Sequence, residues 1–209
     1  MDVSQDNVSQ EMNDDIDAFV MRATSSFDAS HDINHARNVY ALTMRIARSM
    51  DLEGCKDVLT FASKLHDVCD HKYSGGITRD ELIEFIASHL GDIKAQNVMK
   101  IIDNVSYSTE ISGMCETLDE PLNTYLTVIR DADRLEALGY AGIERCITYS
   151  RSRGGKVPED VIQHCHDKLL KLYPDGFIRT ALGRELARPL HDEVQRYVER
   201  NNSRSSIAL

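Results

Sequence analysis

The sequence predicts an all-α protein, a compact helical bundle of roughly eight or nine helices. Three observations predict it. Apolar residues recur at the i, i+3, i+4, i+7 spacing in one segment after another. No segment alternates apolar and polar residues as a half-buried strand does; "TYLTVI" is β-branched, but it is short and flanked by helical pattern. Proline is rare, 4 in 209 residues, so long helices can run uninterrupted.

Each element has its own signal. In "MNDDIDAFVMRATSSF", Ile16, Phe19, Val20 and Ala23 share one face, and in "HARNVYALTMRIARSM" Val39, Leu42, Ile46 and Met50 do the same. "DVLTFASKLHDVCD" groups Val58, Phe61, Ala62 and Leu65. "TRDELIEFIASHL" opens on a capping box, Thr78 with Glu81, and stops before Gly91. "IKAQNVMKIIDNVSYS" continues through Val98, Ile101, Ile102 and Val105, and "LNTYLTVIRDADRLEALG" ends at Gly139. "PEDVIQHCHDKLLKLYP" starts with Pro158 in a first turn and stops at Pro174. "GRELARPLHDEVQRYVER" carries Pro189 in its interior, which predicts a break or kink there. Residues 1–10 are expected to be disordered and 202–209 to form a flexible tail, leaving a single domain over 11–201.

Composition narrows the function. The formal net charge is −10, from 24 Lys and Arg against 34 Asp and Glu, which repels a phosphate backbone and argues against duplex nucleic acid as a partner. A small nucleotide entering a cation-filled pocket remains compatible with that charge. No apolar run approaches the ~18 residues of a membrane span, and the polar N-terminus lacks a signal-peptide core. Five scattered cysteines without a C-x-x-C pair read as free thiols in a reducing cytosol, so a cytoplasmic location is expected.

Polar residues stand where helices should be dry. His66 and Asp67 follow Leu65 at the end of an apolar segment. Asp131 and Asp133 interrupt a helix whose inward positions are Leu126, Ile129, Ala132 and Leu135. His35 is in phase with Val39 and Leu42. A buried carboxylate is costly unless it is paired or bound to a cation. One divalent ion held by His35, His66, Asp67 and Asp133 explains all three oddities, and imidazole with carboxylate suits Mn, Fe, Co, Ni or Zn better than Mg. Two positions would stay open for water or substrate.

The order H…HD…D resembles the HD-domain superfamily of metal-dependent phosphohydrolases, in its small single-domain bacterial and fungal type. "INHARNVYALTMRIA" resembles the helix of that family's first histidine, "LHDVCDHKY" its HD helix and following loop, and "IRDADRLEALGYAGIERC" its third motif, whose "A-D-x-L" aspartate here is Asp133. The resemblance implies a metal-activated water attacking a small phosphorylated substrate, most simply a nucleotide in a pyrophosphohydrolase reaction. It also implies that Asp70 handles the proton of that water and that Lys72 is both catalytic and substrate-binding. Arg37 stands beside Asn38, where relatives often carry an arginine, and joins Tyr107 as a substrate-binding candidate. Asp131 is either an acceptor orienting a ligand or a solvated acid. A 5′-nucleotidase or phosphomonoesterase would use the same ligands, and a non-catalytic nucleotide-sensing module could retain them. A homodimer is compatible with the sequence.

The dipeptide alone decides nothing, because it occurs also as His31-Asp32, His166-Asp167 and His191-Asp192. The first precedes a helix, where Asp32 can cap it or touch His35. The second is predicted to point outward from the face of Val161, Ile162, Cys165, Leu169 and Leu172. The third follows Pro189 without partners.

Overall fold

A computed structural model describes residues 3–25, 32–69 and 77–207, and among these the chain is all-α with no strand. It divides into two compact units, the first ending at Ile129 and the second beginning at Arg130.

The first unit is built from α1 (Val3–Ala23), α2 (Ile33–Ser49), α3 (Lys56–Leu65), α4 (Arg79–Leu90), α5 (Asp92–Val105), the short α6 (Tyr107–Ile111) and the start of α7 (Leu122–Glu136). Its centre is α3, which packs on α1, α2 and α5. Every residue from Val58 to Leu65 is buried, so α3 is enclosed on all sides and not on one face only. Phe61 of α3 and Phe19 of α1 both reach Phe85 of α4, the latter pair stacked with centroids 3.9 Å apart. The capping box of Thr78 and Glu81 is present at the start of α4. The segment expected as one helix past Val105 breaks at Ser106. Buried Asn104 then receives the N–H of Glu116 at 2.8 Å and ties the following loop to α5.

The second unit contains the rest of α7, α8 (Gly139–Ser152), α9 (Glu159–His164), α10 (Leu170–Leu172) and α11 (Ala181–Ile207). α7 stops at Glu136, short of Gly139, where its end was expected. Gly139 instead opens α8, a helix the apolar periodicity did not single out, with φ +73° and with Glu193 and Leu190 less than 3 Å from where a Cβ would stand. Glu193 accepts the N–H of Tyr140 at 2.9 Å, capping α8 from α11. Between α9 and α10 the chain widens into a π-turn, Cys165–Leu169, and the buried residues Val161, Cys165, Leu169 and Leu172 stay in line through it. Of the break or kink expected at Pro189, the break does not occur: α11 is continuous through it. Pro189 lies on the exposed side, so its missing N–H leaves no polar group stranded in a core.

α1 starts at Val3 and α11 reaches Ile207, both inside the stretches expected to be tails. No described helix is long and apolar enough to cross a membrane.

Candidate metal centre

Three of the side chains singled out above converge within the first unit. Asp32 caps α2 by accepting the N–H groups of Asn34 and His35, at 2.9 and 3.2 Å, which fixes the first turn and the backbone of His35. His35 is 4% exposed. His66 stands just past Leu65 as the C-cap of α3 with helical φ and ψ, and Asp67 follows in a turn, 30% exposed at its side chain. His35 Nε2 lies 3.2 Å from Asp67 Oδ2, His66 Nε2 lies 3.4 Å from the same oxygen, and the two Nε2 atoms are 3.4 Å apart.

This triangle fits a metal ion. Bonds of ~2.0–2.2 Å at near-tetrahedral angles place neighbouring donor atoms about 3.2–3.6 Å apart. The orientation of His66 fits as well. Its Nδ1 is 2.8 Å from the carbonyl oxygen of Ser63, which can only accept, so Nδ1 carries the proton and Nε2 offers its lone pair toward Asp67 and His35.

In the second unit, Asp131 and Asp133 lie two residues apart on α7, about 200° around the helix. The Asp131 carboxylate is fully buried and accepts the N–H groups of Arg179 at 3.0 Å and Thr180 at 2.6 Å. Burial pushes its carboxyl above the usual range, against these bonds, which act to lower it. Asp131 therefore anchors the chain entering α11. Asp133 is half-buried and lies about 200° around α7 from Asp131. Arg134, also buried, donates to the carbonyl of Phe177 at 2.5 Å and lies over its ring.

The remaining candidates are placed as follows. Arg37 donates from Nε to Asp17 Oδ2 at 2.8 Å, about 200° around α2 from His35. Tyr107 is the first residue of α6. Asp70, His71 and Lys72 lie outside the described residues. His166 and Asp167 are exposed, and Asp167 accepts from Gln163 at 2.9 Å. His191 is buried beside the Tyr173 ring, and burial lowers its pKa. Sequence reading passed over Lys64 and Asp17; the available signal was a lysine inside the otherwise dry "VLTFASKL".

No family model matches the chain. It is 26% identical over 192 residues to the uncharacterized protein YpgQ of Bacillus subtilis, covering 88% of each chain. It is 28% identical over 137 residues to protein L803 of Acanthamoeba polyphaga mimivirus, covering 58% of this chain and 54% of that one. A crystal structure of Bacillus subtilis YpgQ in complex with ADP aligns with TM-score 0.74 at 23% identity, over 94% of this chain and 96% of that one. A structure of an HD-superfamily hydrolase from Bacillus thuringiensis aligns with TM-score 0.67 at 23% identity, over 94% and 98%.

Proposed function

We propose that this chain, which has the fold of the HD-domain superfamily, is a metal-dependent phosphohydrolase acting on a small phosphorylated substrate, a nucleotide in the first instance. The observation that carries the reading is the triangle of His35 Nε2, His66 Nε2 and Asp67 Oδ2, with donor spacings of 3.2 to 3.4 Å. The complex of YpgQ with ADP supports the nucleotide.

In this reading His35, His66, Asp67 and Asp133 hold one divalent ion, with Mn, Fe, Co, Ni or Zn preferred over Mg for a site with imidazole donors. Such an ion supplies positive charge that polarises a phosphoryl oxygen and acidifies a water. Asp70 accepts the proton of the attacking water. Lys72 offsets phosphate charge and Tyr107 contributes to the substrate pocket, whereas Arg37, bonded to Asp17 on the side of α2 away from His35, is left out of that pocket. The negative bulk of the chain, −10 in formal charge, makes a small substrate the better fit than a polymer.

The test is a panel of nucleoside mono-, di- and triphosphates, deoxynucleotides, cyclic nucleotides and sugar phosphates, run with each metal in turn. Pyrophosphate release identifies a pyrophosphohydrolase, and free phosphate from monophosphates identifies a 5′-nucleotidase. Nucleotide binding without turnover under every metal identifies a sensing module and refutes the hydrolase.

A further inference from the structure

A second polar cluster lies on the far side of the two helices that carry the histidines. Lys64, in the last turn of α3, has a side chain only 4% exposed. Its ammonium donates to Asn13 Oδ1 at 3.0 Å and to Asp17 Oδ1 at 2.8 Å, and it lies 4.8 Å from the centroid of the Tyr40 ring. The other oxygen of Asp17 accepts from Arg37 Nε at 2.8 Å. One carboxylate of α1 therefore holds a cation from α2 with one oxygen and a cation from α3 with the other.

The spacing of these cations relates them to the ligands. Arg37 is two residues after His35, and Lys64 is two residues before His66. Two residues turn a helix by about 200°, so each helix carries its imidazole on one side and its cation on the other. A buried ion pair is a poor way to gain stability, because apolar residues of similar volume often hold two helices as well or better. Directional bonds do something that apolar packing does not: they fix the rotation of each helix about its own axis. At a side-chain radius of about 6 Å, a rotation of 10° moves a ring nitrogen by roughly 1 Å. Metal–ligand distances tolerate only about 0.2 Å.

We propose that Asp17 and Lys64 are positioning residues for the metal: they set the rotations of α2 and α3 that bring His35 Nε2 and His66 Nε2 to 3.4 Å, and so set its affinity. The proposal rests on the reading that His35, His66 and Asp67 are ligands.

The experiment titrates Co(II) into the full chain, followed by its visible absorption, for the wild type, Asp17→Asn, Lys64→Met and His35→Ala, with thermal unfolding of each. Asp17→Asn keeps the shape and, at a partly exposed position, keeps the fold even if Lys64→Met does not. The expected result is a roughly tenfold to hundredfold loss of Co(II) affinity in Asp17→Asn and Lys64→Met, with changed band positions and intact helicity, as for other residues that orient a ligand from behind. Affinity within about twofold of wild type and an unchanged spectrum in Asp17→Asn, while His35→Ala loses Co(II), overturn the positioning role and leave the ligand reading standing. Loss of affinity only in proportion to lost helicity also overturns it. Absence of Co(II) binding by the wild type overturns both.

Discussion

His66 donates its Nδ1–H to the carbonyl of Ser63, three residues back on the same chain, at 2.8 Å. The bond is local and needs no substrate or ion to form. It determines which ring nitrogen is presented to Asp67, and it means that the ring is oriented before any metal arrives.

Removing a ligand should then abolish binding while leaving the fold intact. Asp67→Ala is expected to lower affinity for Mn(II) or Co(II) by more than about a hundredfold, beyond what loss of an orienting residue costs, and to abolish turnover. Asp167→Ala, at an exposed residue bonded to Gln163, should match the wild type in both. Metal analysis of the purified variants together with the substrate panel checks this. Activity lost with Asp167 and kept without Asp67 would refute the ligand assignment.

Asp70 and Lys72 should separate kinetically. Asp70→Asn is expected to cut kcat by about 10²–10⁴-fold with little change in metal content, as for loss of a proton acceptor. Lys72→Ala should act more strongly on KM than Asp70→Asn does. Steady-state rates across substrate concentrations distinguish the two patterns.

Asp131 yields a pH dependence of known sign. Burial raises its carboxyl above the unfolded value, so the folded state holds that proton more tightly than the unfolded one. The stability this contributes is fully present below the unfolded value, about 3.9, and is lost as pH rises through the folded one. The difference in urea stability between the wild type and Asp131→Asn should therefore shift in favour of the wild type as pH falls from about 7 to about 4. A shift of the opposite sign would contradict the raised carboxyl.

Pro189 should be replaceable with gain. It lies exposed inside α11, and alanine would restore the missing N–H bond and helical propensity there. Pro189→Ala is expected to stabilise by about 1–3 kcal/mol, raising Tm by about 2–4 °C for each kcal/mol. Calorimetry of the full chain reads this directly.

Much of this was legible in the sequence because helices announce themselves by apolar period, and because His35, His66 and Asp67 are polar residues in dry settings. The limits have physical causes. Asp131 and Asp133 are the same residue type two positions apart, and only the bonds to Arg179 and Thr180 tell them apart. α8 begins on the glycine expected to end α7, which already stops at Glu136, so a supposed stop signal concealed a start. Lys64 reads as a surface residue by type; its burial follows from α3 being enclosed on every side, which one face of apolar residues does not reveal. Arg37 reads as an anion binder until its partner on α1 is seen.

The wide turn at Cys165–Leu169 has a consequence for chain length. The buried positions there recur every four residues, at Val161, Cys165 and Leu169, a spacing that drifts away from the α-helical period of 3.6. A π-turn takes up that drift by looping out one residue. The helix thus carries one residue of slack, and it falls where the exposed His166 and Asp167 are. That histidine–aspartate pair is spelled like His66-Asp67 but sits in the spare length of the chain, a place that could lose a residue and still keep Val161 and Leu172 inside.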